Sequence, residues 1–104
     1  MILQINFNLN VPVAEYQKVA DSVAHAFRNV PGLRWKIWLI NPAAQEAGGI
    51  YLFDSQAYLD AYLSGPLVAQ LRGLTSIRNI SMKQFEVMPG VTALTRGPFE
   101  TALG

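Results

Sequence analysis

Apolar and polar residues alternate one by one at the start of the chain. Leu3, Ile5, Phe7 and Leu9 fall on one side and Gln4, Asn6 and Asn8 on the other. A period of two is that of a strand with one buried face. Pro12 then suits the first turn of a helix, where a missing N–H loses no partner. From there to about Asn29 the period lengthens to 3.6. Tyr16, Ala20, Val23 and Phe27 form an apolar stripe flanked by Val19 and Ala24, with Lys18, Asp21, His25 and Arg28 opposite. Val30-Pro31-Gly32-Leu33 has proline second and glycine third, the layout of a type II turn. A second strand is expected over about 33–40 and, after a loop around Pro42, a third over about 48–54. Asp54 or Ser55 caps a second helix with Tyr58, Leu59, Tyr62 and Leu63 on its apolar side. Ser64-Gly65-Pro66 interrupts it, and a short further helix is expected over 66–72, with Gly73 just past its end. A last strand lies within 76–88. Its alternation slips once between Ile77 and Ile80, which a bulge would reconcile. Pro89-Gly90 closes that strand and a tail, 89–104, follows.

The order strand, helix, strand, strand, helix, strand predicts an α+β domain over 1–104. The arrangement is ferredoxin-like βαββαβ, a four-stranded antiparallel sheet with its helices on one face. In the first strand, Leu3, Ile5 and Phe7 belong under the helices. The uniformly apolar set of the second strand, Leu33, Trp35, Ile37 and Leu39, is expected beside them, together with Ile50 and Leu52 of the third. Arg34, Lys36, Trp38, Ile40, Tyr51 and Phe53 then share the open face with Gln4 and Asn6. Such an aromatic patch is too apolar to stand bare in water. A second copy pairing its sheet against the first, as a homodimer, would cover it and enclose a cavity.

Composition sharpens that expectation. Of 104 residues, 51% are apolar and only 14% charged, low for a small domain with much surface to solvate. The net charge of +1 implies no strong field toward nucleic acid or membrane. With no cysteine, thiolate catalysis, disulfides and zinc–thiolate sites are excluded. With one histidine, so is a multi-histidine metal site within one chain. No apolar run approaches the roughly 20 residues of a membrane span. No signal-peptide layout opens the chain, so a cytoplasmic location is the default expectation.

Two blocks within the hairpin carry a family resemblance. Pro31-Gly32-Leu33-Arg34-Trp35-Lys36-Ile37-Trp38, followed by Glu46-Ala47-Gly48-Gly49-Ile50-Tyr51-Leu52-Phe53, resembles the YdhR family of putative mono-oxygenases. The likeness runs over roughly 2–88 and leaves the tail aside. It implies a dimeric α+β barrel, in which two sheets pair. It also implies kinship with small cofactor-independent mono-oxygenases that oxidise anthrone-type aromatic polyketides.

Chemistry of that kind needs no cofactor when the substrate supplies the electrons. A base removes a proton, the carbanion reduces O₂, and a peroxide collapses to ketone and water. The protein supplies a dry pocket, an acid or base and a stabiliser for the oxyanion. The candidates on the expected open face are Tyr51 as acid/base or donor, Lys36 as electrostatic stabiliser and Asn6 as donor. Trp38, Phe53, Ile40 and Gln4 would contact a small apolar or aromatic substrate. Each has a plainer alternative. Trp38, Tyr51 and Phe53 would also serve as interface packing, and Lys36 as a solvated strand residue. Glu46 suits a pairing or capping carboxylate, Gly48 and Gly49 a bulge or close backbone approach, and His25 a surface position. Arg34, Arg78 and Lys83 would draw in an anion or simply solvate the strands. Tyr58 and Tyr62 have the i, i+4 spacing of ordinary helix packing. A protein that only binds an apolar metabolite is the alternative function; it needs apolar lining but no acid or base. Haem binding, which related barrels perform, usually wants an axial histidine in the pocket, and His25 is expected to face solvent.

Overall fold

A computed structural model describes residues 1–99 of the chain; the end of the expected tail, 100–104, lies outside the described residues. The elements run β1 (Ile2–Leu9), α1 (Val13–Phe27), β2 (Leu33–Asn41), β3 (Glu46–Phe53), α2 (Gln56–Leu63), α3 (Pro66–Arg72), β4 (Ile77–Phe85) and α4 (Pro89–Leu94). The strands form one antiparallel sheet in the order β2-β3-β1-β4. This is the expected ferredoxin-like arrangement, with α4 as an addition in the tail. The local signals act as read. Gly32 takes φ +75° in the turn before β2, and a Cβ there would lie 2.1 Å from Cγ of Tyr58. The Ser55 side chain accepts the Tyr58 N–H and caps α2. Pro66 opens α3 after the break at Gly65. Among the described residues, no helix is long and apolar enough to cross a membrane.

Register decides which residues face the helices, because directly opposed residues of an antiparallel pair share a face. Leu3, Ile5, Phe7 and Leu9 are all buried, as expected, and fix the helix-covered side. Leu3 lies opposite Tyr51, Ile5 opposite Gly49 and Phe7 opposite Ala47. Tyr51 lies opposite Lys36, and Gly49 opposite Trp38. Tyr51, Phe53, Lys36, Trp38 and Ile40 therefore face the helices, not the open side. Trp35, Ile37, Ile50 and Leu52 take the open side beside Gln4 and Asn6. The expected faces of β2 and β3 are thus exchanged.

The cause in β2 is a bulge. Leu33 pairs with Phe53, but Trp35 already pairs with Leu52, so Arg34 is the extra residue. Leu33 keeps the helix side expected of it, and every later residue of β2 is flipped. In β3 the aromatic set, rather than the aliphatic set, registers with the core of β1. The slip expected in β4 is present as a second bulge. Asn6 pairs with Ser81 and Asn8 with Arg78, and Asn79 adopts φ 57°. This brings Ile77 and Met82 to the same side.

The core joins β1, Tyr51 and Phe53 of β3, Leu59 and Tyr62 of α2, Val68 of α3 and Ile77 of β4. Helix α1 contributes no fully buried residue. Its apolar stripe stands over a recess rather than filling it.

Candidate functional site

That recess lies between the α1 stripe and the helix-facing side of β2 and β3, and its inner cavity measures about 140 Å³. Lys36 projects into it from β2. Its Nζ is 3.4 Å from the Trp38 ring centre, 3.6 Å from that of Phe27 and 4.8 Å from that of Tyr51. Phe27 and Trp38 meet edge to face at 5.2 Å. Gly49 makes this possible, since a Cβ there would come within 2.9 Å of Cε of Lys36. Among the described residues, Lys36 makes no ion pair and no hydrogen bond. Burial pushes its amine down to about 7. The negative faces of the rings act in the opposite sense, favouring the ammonium. Both forms are populated near neutral pH.

Behind the amine stands a pair of phenols. The hydroxyls of Tyr62 of α2 and Tyr51 are hydrogen-bonded at 3.3 Å, and as rotatable O–H groups either one donates while the other accepts. Burial above all, then the neighbouring Tyr62, raises Tyr51 well beyond the ordinary phenol range. Burial raises Tyr62 and Tyr16 as well. These phenols are donors at neutral pH, not bases. Phe53 stacks behind Tyr51 at 6.2 Å and fixes its ring. A wider outer recess of about 520 Å³ adjoins the inner cavity. It shares Tyr16, Ala20 and Trp38 with it and continues past Ile40 to Gln17 and Asp21.

The expected site residues thus separate. Lys36, Tyr51 and Trp38 are brought together, Phe53 backs them, and Ile40 lines the outer recess. Asn6 and Gln4 lie on the opposite face, where the Gln4 amide donates to the Asn6 side-chain oxygen at 2.9 Å. Neither reaches the pocket, because both alternate with the buried residues of β1. Phe27, Tyr16 and Tyr62 belong to the pocket and were not singled out for it. The α1 stripe and the Tyr58/Tyr62 spacing were visible but read as packing. Tyr58 does pack, over Gly32. His25 is exposed on the outer side of α1, as expected. Arg34 pairs with Asp54 at 3.2 Å, and Arg78 donates to the Leu9 carbonyl at 3.0 Å.

A four-stranded antiparallel sheet covered by helices on one face is a fold shared with several solved structures. A "putative antibiotic biosynthesis monooxygenase" from Deinococcus radiodurans is similar at 15% identity, over 84% of this chain and 92% of its own, with a TM-score of 0.65. SnoaB, a cofactor-independent oxygenase from Streptomyces nogalater, is similar at 17% identity, over 85% and 95%, with a TM-score of 0.60. MhuD, a haem degrader from Mycobacterium tuberculosis holding two haems in its active site, is similar at 22%, over 85% and 96%, with a TM-score of 0.66. No curated protein sequence matches. The chain belongs to the family described as "Putative mono-oxygenase ydhR", which matches residues 2–98 and so takes in α4 beyond the expected 2–88.

Proposed function

We propose that the chain is a cofactor-independent mono-oxygenase that converts an activated CH₂ group of an aromatic or polyketide-like small molecule to a ketone. The observation that carries this reading is the half-buried Lys36 amine set against Trp38, Phe27 and Tyr51 in an apolar recess, with no ion-pair partner among the described residues; burial pushes the amine down to about 7. Lys36 takes the role of base, which the raised Tyr51 phenol cannot fill. Tyr51 becomes the donor to the substrate oxygen, where negative charge develops. Proton removal leaves a carbanion conjugated to that oxygen, held against the apolar lining of the recess. The carbanion passes one electron to O₂ and the radical pair joins as a C–O bond. The resulting hydroperoxide loses water, so one oxygen atom enters the ketone and the other leaves as water. A cavity near 140 Å³ suits about one aromatic ring. A multi-ring substrate would set its reacting ring inside and the rest along the outer recess.

Haem fits less well. The single histidine is exposed on the far side of α1, and the inner cavity is far smaller than a porphyrin. A protein that only binds an apolar metabolite would have no use for a desolvated amine in the pocket.

The working unit in this reading is a homodimer joined through the open faces of the sheets. Trp35, Ile37, Ile50 and Phe85 supply the apolar surface there; Ile37 is 49% and Phe85 48% exposed in the single chain. Oxygenation of an anthrone under O₂ tests the activity. Turnover should exceed that in buffer and fall at least about a hundredfold in Lys36→Met. Turnover equal to buffer, or unchanged in Lys36→Met and Tyr51→Phe, would remove the reading.

A further inference from the structure

We propose that Lys36 is also a nucleophile, and that the pocket captures small neutral aldehydes and ketones, aryl ones above all, as an imine on its Nζ. The inference rests on the reading of this recess as the functional site, and it adds a substrate class that a proton-transfer role does not require.

Geometry carries it. The Nζ sits in the corner formed by the edge-to-face rings of Phe27 and Trp38, 3.6 and 3.4 Å from their centres, and among the described residues no carboxylate pairs with it. Within the inner recess the titratable groups beside it are the phenols Tyr51 of β3, Tyr62 of α2 and Tyr16 of α1, none charged at neutral pH; on its other side Arg28 of α1 and Arg34 of β2 line an adjoining recess with it, and their positive charge also disfavours the ammonium. Gln70 of α3 is the remaining polar side chain of the inner lining. An amine desolvated among apolar side chains is the setting in which lysine attacks carbonyl carbon. The ligand is neutral because the inner lining offers an anion nothing beyond Lys36 itself. It is small because the inner cavity is about the size of one that holds a benzene ring.

The step balances without an external reagent. The Nζ lone pair bonds to the carbonyl carbon, and the carbonyl oxygen takes the Tyr51 proton. Tyr51 recovers a proton from the nitrogen of the resulting carbinolamine. The hydroxyl then leaves as water with the second nitrogen proton, and a C=N bond remains. No oxidation or reduction occurs.

The chain has three lysines, Lys18, Lys36 and Lys83, which makes the test selective. The intact protein is incubated at pH 7 with benzaldehyde and cyanoborohydride, which reduces imines to stable amines, and the sites are mapped by peptide mass spectrometry. Lys36 should be benzylated at least about tenfold faster than Lys18 and Lys83, which lie outside the pocket. Its rate should level off above a midpoint near pH 7. The preference should vanish in urea. The amino terminus is reactive at neutral pH in any protein and is mapped separately. Even labelling of the lysines, or an unlabelled Lys36, overturns the proposal. If anthrone turnover persists in that event, only imine formation is lost; if turnover is absent too, the assignment of the pocket falls with it.

Discussion

Lys36 is stabilised as a base and destabilised as a charge by the same surroundings. In the unfolded chain its amine titrates near 10.4, and in the fold at about 7. Between those values the unfolded chain binds more protons than the native one, so this residue makes stability rise with pH across that window. Below pH 7 its cost is complete and no longer changes. Lys36→Met keeps an unbranched side chain, one atom shorter, and removes the charge. It should stabilise the fold at pH 6 by roughly 1–2 kcal/mol, a modest figure because the residue is half-buried and the ring faces offset part of the penalty. The gain should shrink toward zero by pH 10. Urea titrations at the two pH values measure this, and a gain that grows with pH would contradict the placement of the amine.

At the scale of elements, the hairpin of β2 and β3 shows what a sequence can and cannot disclose. The order of elements, the turn at Gly32, the Ser55 cap and the break before Pro66 all rest on local chemistry, and each was legible. The phase of β2 was not. A single extra residue at Arg34 turns every later side chain to the other face, and nothing in Leu33-Arg34-Trp35 marks it, because both alternating sets contain a tryptophan and an isoleucine. The phase of β3 was hidden for a related reason. Its apolar residues fill both faces, and the aromatic set was the one needed to span the gap beneath α1. Lys36, Tyr51 and Trp38 could be grouped from sequence because they are in register with one another, whichever face they take. Asn6 and Gln4 were attached to the group only through the mistaken phase. Gly49 tests the corrected assignment. Gly49→Ala places a methyl group against Cε of Lys36, within 2.9 Å, and should push the amine away from the rings. Turnover should fall about ten- to hundredfold from misplacement alone. The melting temperature should fall by only a few degrees, because Cε of Lys36 can swing aside and Cε1 of Tyr51, at 3.3 Å, and the Ile37 carbonyl, at 3.4 Å, need give little.

On the whole molecule, the exchange of faces leaves the argument for a partner standing while changing its residues. The aliphatic open side, not the aromatic side, is what a second copy would cover. Ile37→Lys sets a charge in the middle of that surface and should yield a monomer by light scattering, without disturbing Lys36, whose side chain points the other way. A variant that remains dimeric would place the interface elsewhere. The tail also bears on this face. The Trp35 indole donates to the Pro98 carbonyl at 2.6 Å, which ties the segment after α4 to the open side of β2. This contact agrees with a family match that continues to residue 98.

In the proposed reading the sheet is a partition, with chemistry on one side and association on the other. A dimer built this way carries two recesses turned outward, separated by the full thickness of both sheets and sharing no side chain. Neither has a direct means of sensing whether the other is filled. Ligand saturation should follow a simple hyperbola with a Hill coefficient near one, and a mixed dimer with a single intact Lys36 should retain half the activity.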